Sequence, residues 1–408
     1  LSRTFDIVIV GGGMVGASLA AALAPLPLRI AVVEAWSPSS SAQPSYDDRS
    51  TAVSEGSRRI FDTVGCWGAI EPEATAIRRI HVSDRGQFGF ARLDCRDYDV
   101  PALGYVVENR CLGAALWKIL RKHDRISTIC PARLGSLEID ADGAALEIRH
   151  DGGESESLRA ALVVGADGAQ SVVRASLGLG EVTWEYGQEA LIANVSISRF
   201  HENEAYERFT ETGPLALLPM TGDRCSLVWT LDPERAAALA ENEEGAFLSE
   251  LQTAFGFRLG RFTRVGRRAR YPLRLIRARR QSDLRVVLIG NAAHSIHPVA
   301  GQGFNLGLRD VAALADVIAD AVGAGTDPGA ASVLEAYAEW RAADQRRVAA
   351  MTDSLARLFT NPLAPVGAAR RLGLLGLDLV PAPKKALARQ AMGIRGRLPR
   401  LARGIPLS

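Results

Sequence analysis

Cysteine is scarce and scattered: five residues in 408, at Cys66, Cys95, Cys111, Cys130 and Cys225, with no C-x-x-C pair among them. An odd, widely spaced set excludes a disulfide framework and the usual zinc spacings, and points to reduced thiols in a cytoplasmic setting. Long apolar runs are also missing. None approaches the ~18 residues that a membrane-spanning helix requires. The first residues lack a basic stretch leading to a small-residue cleavage site, which argues against an export signal. Excess charge of one sign is absent too, with 48 Lys and Arg against 46 Asp and Glu. A net charge of +2 excludes a general nucleic-acid binder. No internal repeat is present.

What is there fits a globular α/β chain, with 47% hydrophobic residues and 39 glycines, long enough for one large or two intimately packed domains. Residues 5–10 (FDIVIV) form an apolar run rich in β-branched side chains, the pattern of a strand buried on both faces. A glycine turn at 11–16 leads into a helix reaching about Leu23, and residues 28–34 (LRIAVVE) make a second buried strand that ends in an acid. That order is a βαβ unit. Leu112, Leu116, Ile119 and Leu120 carry helical spacing over 109–123, and residues 126–148 alternate as strands around an Ala141-Asp142-Gly143 hairpin turn. Residues 162–164 are again a buried strand ahead of a glycine and an acid. Alternation from 182 to 275 predicts antiparallel strands with one helix near 233–254. Residues 284–289 return to a buried strand, a long helix begins near Gly303, and helical periodicity continues from Trp340 to Phe359. The nucleotide-binding unit is therefore discontinuous along the chain.

The first glycine turn carries chemistry. Gly11, Gly13 and Gly16 stand at G-x-G-x-x-G spacing, where the first permits a tight turn, the second close approach of a pyrophosphate, and the third close helix–strand packing. The helix that follows presents free N–H groups and its positive dipole end to phosphates. Glu34, 18 residues after Gly16, suits a ribose diol and repels a 2′-phosphate, which favours FAD or NAD over NADP. Two later segments complete a set of three: LVVGADGAQSVVR at 162–174, and VVLIGNAAHSIHPVAGQGFNLGLRD at 286–310.

In this order and spacing, the three segments resemble those of the single-component flavoprotein monooxygenases related to para-hydroxybenzoate hydroxylase. HPVAGQGFNLGLRD at 297–310, with YPLRLIRARR just upstream and Asn in GNAAH, is similar to the polyprenyl-methoxyphenol hydroxylase branch of ubiquinone biosynthesis. The resemblance spans about residues 4–395 and implies an α/β fold: a Rossmann-like FAD-binding domain interleaved with an antiparallel β-sheet substrate domain, with C-terminal helices. On that plan the FAD-binding parts are 1–75, 106–180 and 281–360, the substrate domain takes 76–105 and 181–280, and 361–408 is a basic helical tail. The resemblance places FAD on Gly11, Gly13, Gly16 and Glu34, with Arg49 near its ribityl–pyrophosphate portion and Asp167 in the middle motif; for the family's arginine at the start of the next helix this chain has Asn109, with Arg110 beside it. The family's third motif reads Gly-Asp, where this chain has Gly290-Asn291. An amide still accepts one hydrogen bond from a ribityl hydroxyl and brings no buried charge.

The family reduces FAD with NAD(P)H and hydroxylates an electron-rich phenol through a flavin C4a-hydroperoxide, so the implied partners are a polyprenyl phenol and O2. The hard chemistry is the cofactor's, and the protein supplies position, dryness and electrostatics. A helix start offering N–H groups of Gly303, Phe304 and Asn305 stabilises negative charge on reduced flavin. Gly301 and Gly303 let backbone approach a ring, and Pro298 stiffens the approach. His294 and His297 are the nearest candidates for a base toward the phenol. Their i, i+3 spacing across a proline-bearing loop, with no third ligand, is poor zinc geometry, and no metal is expected. Residues 215–220 (LALLPM) with Val228 and Trp229 suit an apolar wall, or plain core. Eight arginines in 264–280 and nine Lys or Arg against one acid in 361–408 are solvated faces, nicotinamide-phosphate attractors, or surfaces for peripheral contact with the inner membrane or a quinone-synthesis complex. Two other readings stay open: a phenol hydroxylase of aromatic catabolism or secondary metabolism, and a non-catalytic FAD-binding scaffold.

Overall fold

The apolar N-terminal run becomes the strand Arg3–Val10, central in a parallel sheet, with Ile30–Val33 on one side and Ser155–Gly165 on the other. Side chains of both parities are buried along it, with Ile7 and Ile9 in one cluster and Val8 and Val10 in another, as befits a strand covered on both faces. A computed structural model describes residues 2–38, 45, 49–86, 89–296, 301–360, 373, 375–376 and 378–407. The parallel order continues through Val286–Leu288 beside Ser155–Gly165 and Ile126–Ile129 beside Ile30–Val33. A hairpin of Ala132–Ile139 and Ala144–His150 extends the sheet through Ser155–Gly165.

Helices Met14–Leu23, Asn109–Leu120 and Gln302–Gly323 cover one face of this sheet through a shared core that includes Leu19, Leu116, Leu308 and Leu314. Their alanine- and leucine-rich faces allow close packing without polar atoms to satisfy. A three-stranded sheet of Ser50–Ser54, Gly104–Glu108 and Thr75–Ile77 lies beside this layer.

The second large sheet is mainly antiparallel, with nine strands among the described residues. Its longest strand, Glu181–Ile197, pairs with Arg224–Leu231 and with Ala269–Ala278. The expected single helix near 233–254 is in fact two, Pro233–Glu241 and Glu244–Phe255. Asp232 caps the first by accepting from Arg235 N at 3.1 Å, and Asn242 in extended backbone separates them. These helices pack on one side of the sheet, where Leu191, Leu215, Leu217, Leu227 and Trp229 meet Phe247, Leu251 and Phe255. The long helix Ala331–Thr360 packs toward the other side, where Leu355 meets Phe209.

Candidate functional site

Three turns converge at the carboxyl ends of the parallel strands. In the first, Gly11 sits at φ +103°, and a Cβ there would meet Ala166 O at 2.5 Å. A Cβ on Gly16 would fall 1.9 Å from Gly11 O, so the first and third glycines are required by the packing of strand, turn and helix. Gly13 caps the helix Met14–Leu23 with no side-chain hydrogen bond. The first-turn N–H groups are thus left for an anion. Glu34 is buried against this turn, accepting from Gly12 N at 2.6 Å and Trp36 N at 2.9 Å. Burial pushes its carboxyl up, and the Trp36 and Gly12 N–H groups only partly offset that.

The second turn holds Asp167. One carboxylate oxygen accepts from Val172 N at 2.7 Å and Val173 N at 3.1 Å, while Oδ1 is buried with no hydrogen-bond partner among the described residues. Arg174, set on the short helix Val172–Ser176, donates to Ala169 O and to Ala292 O, each at 2.7 Å, and pairs with Glu181. It clamps the second turn onto the third. Its clamping role was invisible in the sequence because Ala292, the partner on the third turn, lies 118 residues away.

The third turn is the short helix Gly290–Ala292. Gly290, at φ +57°, has Val15 of the first helix against it, and a Cβ on Gly307 would lie 3.1 Å from Gly290 Cα. Asn291 projects outward and is exposed. His297 and Pro298 lie outside the described residues. Gly301, in left-handed backbone at φ +60°, starts the helix Gln302–Gly323, putting Gly303, Phe304 and Asn305 on its first turn. Phe304 stacks on Phe61, with ring centroids 6.2 Å apart. The Asn305 side chain accepts from Ser54 N and donates to Ala52 O and Gly301 O, all at 2.8 Å, so it ties the helix start to the three-stranded sheet.

His294 belongs to a buried charge cluster. Its Nε2 lies 2.6 Å from Asp310 Oδ2, and Asp310 also accepts from Arg341 and Gln345. Burial pushes the Asp310 carboxyl up, but His294 and Arg341 outweigh that and hold it well below the usual carboxylate range. Asp344 in turn bridges Arg309 and Arg341 at 2.8 Å each. His294 is therefore engaged with Asp310 through Nε2, while its Nδ1 is buried without a hydrogen-bond partner among the described residues.

Arg49 and Arg110 face a cavity of about 680 Å³ whose opposite wall is Ile192, Asn194 and Tyr271 of the antiparallel sheet. The Arg49 guanidinium stands 5.0 Å from the Tyr271 ring centroid. Arg110 pairs with Glu108, which also binds Arg224. From the arginine-rich run, Arg264 and Arg267 line the same cavity, whereas Arg270 and Arg274 pair with Glu189 and Glu185. The stretch 215–220 divides by parity. Leu215 and Leu217 are core, while Ala216 and Leu218 turn to the cavity side of the sheet.

Among the described residues no cluster of three metal-ligating side chains occurs, and no helix is long and apolar enough to cross a membrane. A family model described as FAD binding domain matches residues 4–352. Ubiquinone hydroxylase UbiL of Rhodospirillum rubrum is 40% identical over 408 residues, covering 99% of this chain and 94% of that protein. The 3-demethoxyubiquinol 3-hydroxylase of Escherichia coli is 34% identical over 391 residues, covering 95% and 98%. Among solved structures, p-nitrophenol 4-monooxygenase PnpA from Pseudomonas putida shares the fold at a TM-score of 0.81 and 19% identity, covering 97% of this chain and 100% of that one.

Proposed function

The chain belongs to the FAD-binding-domain family, and from that premise we propose that it is an FAD-dependent monooxygenase that hydroxylates the ring of a polyprenylated phenol in ubiquinone biosynthesis. The observation that carries the site is the convergence of three turns, remote in sequence, beside one arginine-flanked cavity. The residues fit FAD. An uncapped helix start behind Gly13 suits its pyrophosphate, Glu34 its ribose, and the unpartnered Asp167 Oδ1 and exposed Asn291 its hydroxyls. Arg49 and Arg110 supply positive charge along the phosphate side, and the backbone of Gly301, Gly303, Phe304 and Asn305 would face the flavin ring.

When bound, FAD supplies the redox chemistry, taking electrons from NAD(P)H and activating O2 for insertion into an electron-rich ring. The chain's own contribution is placement and water exclusion. Ala216, Leu218 and Val228 present an apolar sheet face, and the helix start holds negative charge beside its N–H groups.

A water-insoluble substrate also bears on where the protein works. Leu379 and Val380 are exposed just ahead of the helix Pro381–Ala391, which carries Lys384 and Lys385. These features support peripheral contact with a membrane or a quinone-synthesis complex; much of the basic tail, 361–372 included, lies outside the described residues.

The purified protein should be yellow or take up FAD on reconstitution. Deleting the gene in its own host should cause a polyprenylated phenol lacking one ring hydroxyl to accumulate, and the cloned gene should clear it. Normal ubiquinone levels in the deletion strain would overturn this reading.

A further inference from the structure

One row of the antiparallel sheet is apolar except at a single position. Paired residues run Val82, Glu207, Ala216, Val228, Ile192, Ala269 across six strands. Tyr206, Leu215 and Trp229 point into the core shared with Glu244–Phe255, so by alternation this row projects from the opposite face. The same-face neighbours of Glu207 on its own strand, Glu204–Thr210, define its surroundings. Ala205 packs with Ile77 and Val106 of the three-stranded sheet, and Phe209 packs with Leu355 of the long helix. Glu207 sits between these two contacts. It keeps intermediate accessibility on this face, one strand from Ala216 of the apolar sheet wall. Among the described residues nothing donates a hydrogen bond or an ion pair to its carboxylate, and burial alone pushes it up to about 7.

Among the described residues, charged groups on the packed elements do not neutralise it. On Arg79–Asp84 the same-face acid is Asp84, which pairs two residues along with Phe209. The strand Gly213–Met220 offers no titratable group. On Gly104–Glu108, Glu108 is engaged by Arg110 and Arg224, and on the long helix Asp353 accepts from Tyr186 at 3.1 Å. An unpaired carboxylate is costly in such a place. It is well suited to meeting a hydroxyl that arrives with a ligand.

We infer that Glu207 receives the ring hydroxyl of the phenol substrate, accepting its hydrogen bond and then its proton. In that step the phenol O–H bond breaks and its electron pair stays on oxygen, enriching the ortho and para carbons. The carboxylate becomes a carboxylic acid, and no electron changes partner. The inference rests on the phenol reading above. It adds a candidate base beyond the two histidines singled out in the sequence.

The test uses FAD-loaded protein and a phenol carrying a short isoprenoid chain ortho to its hydroxyl. With the wild type, affinity of the oxidised protein for this probe should rise about tenfold from pH 6 to pH 8, as one group with a pKa near 7 ionises. Glu207→Gln should bind it with no pH dependence and hydroxylate it about 100-fold more slowly. Its rate should climb only toward the phenol's own ionisation near pH ~10. Glu207→Asp should keep the wild-type pH dependence at a reduced rate, which preserves the test if the Gln variant loses FAD. Wild-type binding and pH profile in Glu207→Gln, with FAD retained, would overturn the inference while leaving the phenol reading intact. A wild type that neither binds nor hydroxylates the probe would overturn both.

Discussion

Asp310 and Glu207 are both enclosed carboxylates, and they lie in opposite electrostatic settings. Asp310 is fully buried and receives His294, Arg341, Gln345 and the Gly290 N–H, so it stays ionised well below the ordinary range. Among the described residues Glu207 receives nothing, and burial pushes it up to about 7. Enclosure alone therefore does not decide what a buried acid does; the donors around it do. The saturated acid fastens the third turn to the helices Gln302–Gly323 and Ala331–Thr360. The unsaturated one is left with capacity for a ligand.

The largest expected effect is on the saturated side. Asp310→Ala leaves Arg341 buried without its main partner and should cost about 3–5 kcal/mol of stability, read from denaturant midpoints. Because the folded value is depressed, Asp310's contribution is present above its ordinary 3.8 and is lost as pH falls through the lower folded value. The variant's thermal midpoint should therefore depend less on acid pH than the wild type's. A loss under ~1 kcal/mol would break the comparison.

Glu207→Gln should act in the opposite direction. Its folded value is raised above the ordinary 4.5, so ionisation destabilises the fold progressively as pH rises from about 4.5 through about 7. The variant should be more stable than wild type by about 1–3 kcal/mol at pH 8 and level with it at pH 4, measured by thermal melts. A gain at both pH values would point to packing instead of charge.

Glu34 stands between the two, with two backbone donors. Glu34→Gln keeps one acceptor and should lose about 1–2 kcal/mol, together with FAD affinity measured by flavin fluorescence. The smallest effect belongs to Asn291, which is exposed. Asn291→Asp should leave thermal stability unchanged and alter FAD affinity by less than about tenfold. If it abolished hydroxylation while FAD stayed bound, Asn291 would not be at the ribityl chain.

Much of this architecture was legible locally. The helix starting at Met14 ends at Leu23, and the hairpin turns around 141–143, as spacing and turn residues indicated. The single helix expected near 233–254 is interrupted because Asn242 leaves helical backbone, a short-range choice that apolar periodicity does not encode. The charge cluster around His294 was not legible because Asp310, Arg341 and Gln345 are 16 to 51 residues away. Arg174 closed the second segment with no sign of its contact to the third turn, and Glu207 carried no motif at all.

The amino-acid sequence by itself determined the three turns, their glycines and the acid after the second strand, because phosphate approach and tight strand–helix turns restrict residue type at each position. Tertiary structure alone decided which charged groups are saturated. The partners of Asp310 and the isolation of Glu207 arise from strand register and helix docking between distant segments, and desolvation has no sequence pattern.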